Sequence, residues 1–279
     1  MATPTKVALD ALSWPVLSRI YGRLTHARLP KPVLQSLIRR YIAHYEIDMS
    51  EYARPVSDYK TMDDFFTRAL REGVRPIDTE EPSLIACADG RLSCFETITD
   101  QGLFQVKDVR YSTNTLLGNE ELAQQLNGGT HYTVYLAPKN YHRVHSPWNG
   151  TITAARYWPG RLYPVNDTAR YRVPDLFCRN ERISLEFNTP QGVGAVVMVG
   201  ASFVGQMSLS FTDFVTNQKK AGGPHIMTFA KPIPVARGQE VGIFHMGSTA
   251  VVLHQASFQS IASDGQDIRM GERLGALEQ

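Results

Sequence analysis

The sequence predicts an α+β protein, with N-terminal amphipathic helices followed by a β-rich core of sandwich or barrel-like form. Two observations set this order. Apolar residues between positions 9 and 48 recur at helical spacing. Beyond Pro76 the chain breaks into short apolar or alternating runs punctuated by Gly, Pro and Asn, and few helical patterns follow Leu126.

The clearest helix carries Val33, Leu34, Leu37, Ile38, Tyr41, Ile42 and Tyr45 on one face, with Pro32 in its first turn and Arg39, Arg40 and His44 off the stripe. A shorter piece with Leu9, Leu12, Val16, Leu17, Ile20 and Tyr21 precedes it, interrupted by Pro15. Residues 1–50 hold seven basic and three acidic side chains, a net charge of +4. Residues 9–48 are therefore either two helices packed on a core or a basic amphipathic unit lying on an anionic membrane, with Trp14 and Tyr21 at the interface. Thr61-Met62-Asp63-Asp64 is a helix start, and that helix must stop before Pro76. Strands are expected at Leu84–Ala88, Gly102–Val106, His131–Leu136, Thr151–Tyr157, Ile183–Phe187, Val193–Val199, Ser202–Phe211, Glu240–Met246 and Thr249–Leu253, with one helix at Leu116–Leu126. A helical region over 1–60 and a β-rich domain over 61–279 are the expected divisions.

The totals exclude several classes. The net charge of +2 argues against nucleic acid as a partner. Three cysteines, Cys87, Cys94 and Cys178, fit neither a zinc ribbon nor a disulfide framework, so reduced thiols in a cytosolic setting are expected. The first residues lack the apolar stretch of a secretory signal. The charge-free segment Phe187–Thr212 is long enough to suggest a membrane span. Its polar residues and the alternation from Ser202 to Phe211 mark it as strand instead.

Three places could carry chemistry. Asp89 follows a small-residue strand, Ala86-Cys87-Ala88, and precedes Gly90, which also reads as a plain turn. His142 and His145 lie in a box bounded by Pro138 and Pro147. Gly247-Ser248 interrupts two apolar runs near the end of the chain, as either a glycine bulge or a reactive step. Asp, His and Ser are the parts of a nucleophilic relay, in which histidine takes the serine proton and the acid stabilises the cation. No Gly-x-Ser-x-Gly elbow surrounds Ser248.

Taken together, these segments resemble the bacterial-type phosphatidylserine decarboxylases. The matching pieces run in order: Asp64-Phe65-Phe66-Thr67-Arg68-Ala69-Leu70, Arg75-Pro76-Ile77, Ala88-Asp89-Gly90, Tyr141-His142-Arg143-Val144-His145-Ser146-Pro147, Gly160-Arg161-Leu162-Tyr163-Pro164-Val165-Asn166, Gly238-Gln239-Glu240-Val241-Gly242 and Gly247-Ser248-Thr249. Met246 stands where the family usually has Leu, a swap that keeps the volume.

The resemblance implies a proenzyme that cuts itself between Gly247 and Ser248. His145, oriented by Asp89, would take the Ser248 proton, and the oxygen would attack the Gly247 carbonyl to give an ester. Elimination and hydrolysis would then release ammonia and leave a pyruvoyl group on a small α subunit, residues 248–279, beside a β subunit, residues 1–247. That covalent pyruvate cofactor would form a Schiff base with phosphatidylserine and release carbon dioxide, giving phosphatidylethanolamine. His142 would meet the departing carboxylate or reprotonate the carbanion. The resemblance further implies a peripheral protein on the cytoplasmic face of the bacterial membrane, bound through residues 9–48, a dimer of αβ units and no metal. Two alternatives stand beside it: a zinc hydrolase with His142, His145, His245 and Asp89 as ligands, and a non-enzymatic membrane-binding module.

Overall fold

The computed structural model describes residues 22–278 apart from 101, 107–108, 203–205, 218–221 and 246–247. The shorter amphipathic piece around Leu9–Tyr21, and both Met246 and Gly247, lie outside the described residues. A helical turn at 22–25 leads to α1 (Lys31–Tyr45). Five of the seven α1 stripe residues pack into the core, with Tyr41, Ile42 and Tyr45 only partly buried. Leu34 and Ile38 are buried one turn apart, whereas Val33 and Leu37 face outward. Helix α2 (Met62–Phe66) starts where expected, with the Thr61 hydroxyl accepting from the Asp64 amide at 3.0 Å.

The helix expected at Leu116–Leu126 is two. α3 (Thr113–Leu117) ends at Gly118, whose φ of +66° is left-handed, and Asn119 then caps α4 (Glu120–Gln125). The apolar periodicity ran across this break because both helices face the same core. Two short helices, α5 (Asp167–Arg172) and α6 (Leu176–Arg179), were not foreseen.

The strands begin with β1 (Ser83–Ile85), β2 (Gly90–Thr97), β3 (Leu103–Val106), β4 (Val109–Tyr111), β5 (Thr130–Leu136) and β6 (Arg143–His145). They continue with β7 (Gly150–Trp158), β8 (Arg182–Thr189), β9 (Gly192–Gly200), β10 (Met207–Leu209) and β11 (His225–Val235). The last are β12 (Glu240–Phe244), β13 (Ser248–His254), β14 (Phe258–Ser260), β15 (Asp267–Ile268) and β16 (Arg273–Leu277). The strand expected over Ser202–Phe211 is therefore shorter, and β11 is new. Pro232 and Pro234 hid β11, and it sits at a sheet edge, where proline is tolerated.

An eight-stranded antiparallel sheet runs β11-β7-β8-β9-β13-β5-β2-β15. On one face Val134, Leu136, Met198, Ala250 and Val252 pack against Val144, Met207, Leu209, Val241 and Phe244 of a smaller sheet, β10-β12-β6. Gly242 permits the close approach of the layers, since a Cβ there would come within 2.6 Å of the Met198 sulfur. On the other face Val197, Val199, Val251 and Leu253 meet Leu116, Leu117, Leu122, Leu176 and Phe177 of the helices. Strand β13 is thus buried along its whole length, which explains an apolar run without alternation. A third cluster joins Leu34, Ile38, Tyr52 and Phe65 to Tyr141, tying the helical region to the loop that enters β6.

Candidate active site

Three elements bring the predicted residues into one region. Strand β13 begins at Ser248, which pairs with Leu136 of β5 and Gly200 of β9. With a two-residue period, Ser248 shares the face of Ala250 and Val252, the face covered by the smaller sheet. That smaller sheet carries His145 at the end of β6. The His145 amide donates to the Cys87 carbonyl at 2.8 Å, which brings the Ala86-Cys87-Ala88-Asp89 segment alongside.

The Ser248 hydroxyl is fully buried and has no hydrogen-bond partner among the described residues. An unpaired buried hydroxyl costs about 1–3 kcal/mol; Thr113, Thr133 and Ser184 carry unpartnered buried hydroxyls too, and Ser248 is set apart by its place at the start of the central strand. Neighbouring Thr249 Oγ1, on the opposite face, is also unpartnered.

His145 is held at both ring nitrogens. Nδ1 lies 2.8 Å from the Gly238 carbonyl and Nε2 lies 3.0 Å from the Tyr141 hydroxyl. A carbonyl can only accept, so Nδ1 carries the proton and Nε2 presents its lone pair to the Tyr141 O–H. Burial pushes the His145 pKa down, against the bond to Gly238 and the charges of Glu240 and Asp89. The ring is therefore neutral near pH 7, the form that can accept a proton.

Asp89 is buried and does not bond to His145. It accepts from Arg75 Nε at 3.1 Å, from Arg75 Nη2 at 2.6 Å and from the Met270 amide at 2.8 Å. Arg75 also donates to Glu51 at 2.7 Å. Burial works against the Arg75 cation, but its bonds to Asp89 and Glu51 outweigh that and hold its pKa above the usual value. A polar cleft of about 310 Å³ opens onto Asp89, Arg75 and Tyr141. Asp89 acts on the His145 ring through its charge, and the orienting carbonyl belongs to Gly238.

His142 is fully buried against the Phe66 ring, with centroids 4.1 Å apart. Its Nε2 donates to the Ala137 carbonyl at 3.1 Å, leaving Nδ1 as a bare lone pair. Burial, reinforced by the Arg68 charge, lowers its pKa to about 3. Arg68 is itself fully buried, donating to the Lys139 carbonyl at 2.8 Å and to the Tyr52 hydroxyl at 3.0 Å. It braces the loop that carries His142.

The sequence reading missed Tyr141, Arg75 and the Gly238 carbonyl as parts of this site. Tyr141 and Arg75 stood inside the quoted motifs, but nothing in their spacing says what they touch. The zinc-hydrolase alternative is not favoured. Its ligands are separately committed, with His245 bonded to Asp63 and Ser208 rather than gathered with His142, His145 and Asp89.

A buried serine at the start of the central strand, with a neutral histidine on the sheet that covers its face, fits a serine-based enzyme. Residues 62–276 match the phosphatidylserine decarboxylase family. The chain is 39% identical over 272 residues to the phosphatidylserine decarboxylase proenzyme of Anaeromyxobacter sp. (strain K), covering 96% of each chain. It is 40% identical over 268 residues to that of Ectopseudomonas mendocina (strain ymp), covering 93% of each, and 34% identical over 272 residues to that of Myxococcus xanthus (strain DK1622), covering 96% of each. The chain belongs to the phosphatidylserine decarboxylase family.

Proposed function

We propose that this protein is a phosphatidylserine decarboxylase proenzyme that cuts itself between Gly247 and Ser248 and then converts phosphatidylserine to phosphatidylethanolamine. The observation that carries the reading is the Ser248 hydroxyl, buried without a partner at the start of the central strand. Such a group fits a serine that is consumed to make a pyruvoyl cofactor.

His145 Nε2 is the acceptor for the Ser248 proton. The transfer exchanges the Tyr141 hydrogen bond for one from Ser248, while Gly238 keeps the ring in the required tautomer. Asp89 stabilises the resulting imidazolium by charge, and Arg75 holds Asp89 in place. The pyruvoyl carbonyl supplies the electrophile and electron sink that loss of carbon dioxide requires. His142, whose Nδ1 lone pair is bare, contacts the departing carboxylate or returns a proton to the carbon left behind. Burial around His142 and Phe66 excludes water from that step.

The substrate's acyl chains stay in the bilayer, so the enzyme works from the membrane surface. Leu24, Val33 and Leu37 are exposed near Lys31, Arg39 and Arg40, also exposed, which supports an anionic surface as the docking partner. Among the described residues no helix is long and apolar enough to cross a membrane. The working form is a β subunit, residues 1–247, with an α subunit, residues 248–279, paired as a dimer of αβ units on the cytoplasmic face.

Intact mass under denaturing conditions tests the core of this reading. Active protein is expected to yield a fragment beginning at position 248 with a carbonyl-bearing start that reacts with a hydrazine. His142→Ala is expected to be cut in the same way yet release no carbon dioxide. A single full-length species from an active preparation would sink the proposal.

A further inference from the structure

A second cluster lies outside the decarboxylation machinery, and it joins three separate parts of the chain. His26 follows the helical turn at 22–25, Asp63 lies on α2, and His245 follows β12. His26 Nε2 is 3.3 Å from Asp63 Oδ2, and His245 Nδ1 is 3.1 Å from both Asp63 oxygens. One ligand atom from each residue falls in a group whose members all lie within 4.8 Å of one another. Asp63 is 7% exposed, so its carboxylate is not a free surface acid.

The outer contacts of both rings point inward to the same centre. His26 Nδ1 lies 2.7 Å from the Gly22 carbonyl, so that nitrogen carries the proton. His26 Nε2 then turns a lone pair toward a carboxylate oxygen. Two lone pairs at that distance need a cation between or on them. His245 Nε2 is engaged by the Ser208 hydroxyl at 3.0 Å, which leaves Nδ1 facing Asp63. A ring nitrogen pinned by an outer oxygen, with the other converging on a shared point, is the arrangement of histidines that ligate metal. The observed separations of 3.1 and 3.3 Å match the roughly 3.3 Å edge of a tetrahedron built on bonds of about 2.0–2.1 Å.

We propose that His26, Asp63 and His245 form a binding site for a divalent transition-metal ion, of which zinc is the best fit to two imidazoles and one carboxylate. Three protein ligands leave one coordination position for water. The ion staples the helical segment before α1 to α2 and to the strand end three residues ahead of Ser248. The site is independent of the decarboxylase reading and stands or falls on metal binding alone.

Untagged full-length protein is dialysed against zinc sulfate, and its bound metal and thermal midpoint are measured. Cobalt substitution gives a visible absorption band reporting on the ligands. One zinc per chain and a raised midpoint are expected. His26→Ala is expected to weaken zinc binding by at least the roughly 10–100-fold that loss of an outer-shell partner costs, and Ser208→Ala by that range. His26 is exposed, so its variant keeps the fold and carries the test even where Asp63→Asn does not fold. Absence of stoichiometric zinc, or unchanged affinity in His26→Ala, would overturn the site and leave His26, Asp63, His245 and Ser208 as a chain of direct polar contacts.

Discussion

Replacing Ser248 by Ala should make the uncut chain more stable. Its hydroxyl is fully buried and bonds to nothing. Taking such a hydroxyl out of water without a partner costs about 1–3 kcal/mol, and alanine removes that cost while leaving a void smaller than a methyl group. The expected gain is about 1–2 kcal/mol, or roughly 2–3 °C in thermal midpoint for a chain of this size. Wild-type protein is a poor reference, because it is expected to be cut. The comparison therefore uses His145→Gln against His145→Gln/Ser248→Ala, with mass measurement confirming that both remain whole. Urea unfolding and calorimetry give the difference directly. An unchanged or lowered stability would mean that the hydroxyl is satisfied in the folded chain, and the argument from an unpartnered nucleophile would fail.

Acid should unfold the protein through its buried neutral histidines. Burial lowers His131 and His254 to about 4 and His142 to about 3. Their folded pKa values lie below the unfolded value near 6.5, so the unfolded chain binds more protons between the two. Stability is complete above about pH 6.5 and falls as pH drops through that window, by about 3 kcal/mol per histidine at pH 4. Circular dichroism against pH should show unfolding between roughly pH 4 and 5, since three such losses rival a whole domain's stability; a denaturant midpoint at pH 4 equal to that at pH 7 would contradict this. On the outside, Leu24→Gln/Val33→Gln/Leu37→Gln should weaken sedimentation with anionic liposomes while leaving the fold intact, because all three side chains are exposed. Undiminished binding would move the membrane surface elsewhere.

The strand flanking Ser248 was legible because β-branched residues crowd it, and burial on both faces is what such a run means. The α1 stripe was legible as a helix but not as two surfaces, since Val33 and Leu37 look the same in sequence whether they meet protein or membrane. Gly118 was the visible clue to the break between α3 and α4, overridden by an apolar period common to both. β11 was hidden by its prolines. At the site, residue types alone left Asp89 open to a plain turn and Gly247-Ser248 open to a bulge, and it was the family resemblance that singled out Asp89, His142, His145 and Ser248. Their partners were not legible. That Arg75 would hold Asp89, and that a backbone carbonyl at Gly238 would orient His145, depends on contacts between distant segments, and a carbonyl leaves no mark in sequence.

Strand β13 lies between β9 and β5, while β14 and β16 belong to a second sheet with β1, and β15 closes the far edge beside β2. All four come from the segment after Gly247. If that peptide bond is cut as proposed, the segment stays interleaved with the rest at both the centre and the rim, so it cannot leave without dismantling the sheet. Such a cut would also change what refolding demands. The intact chain assembles by a first-order process at any dilution, whereas the severed pieces must meet again, and their reunion depends on concentration. The proposed cut would therefore fix the order of events: the molecule folds while it is one chain, and a later unfolding would erase something that the cut form regains poorly.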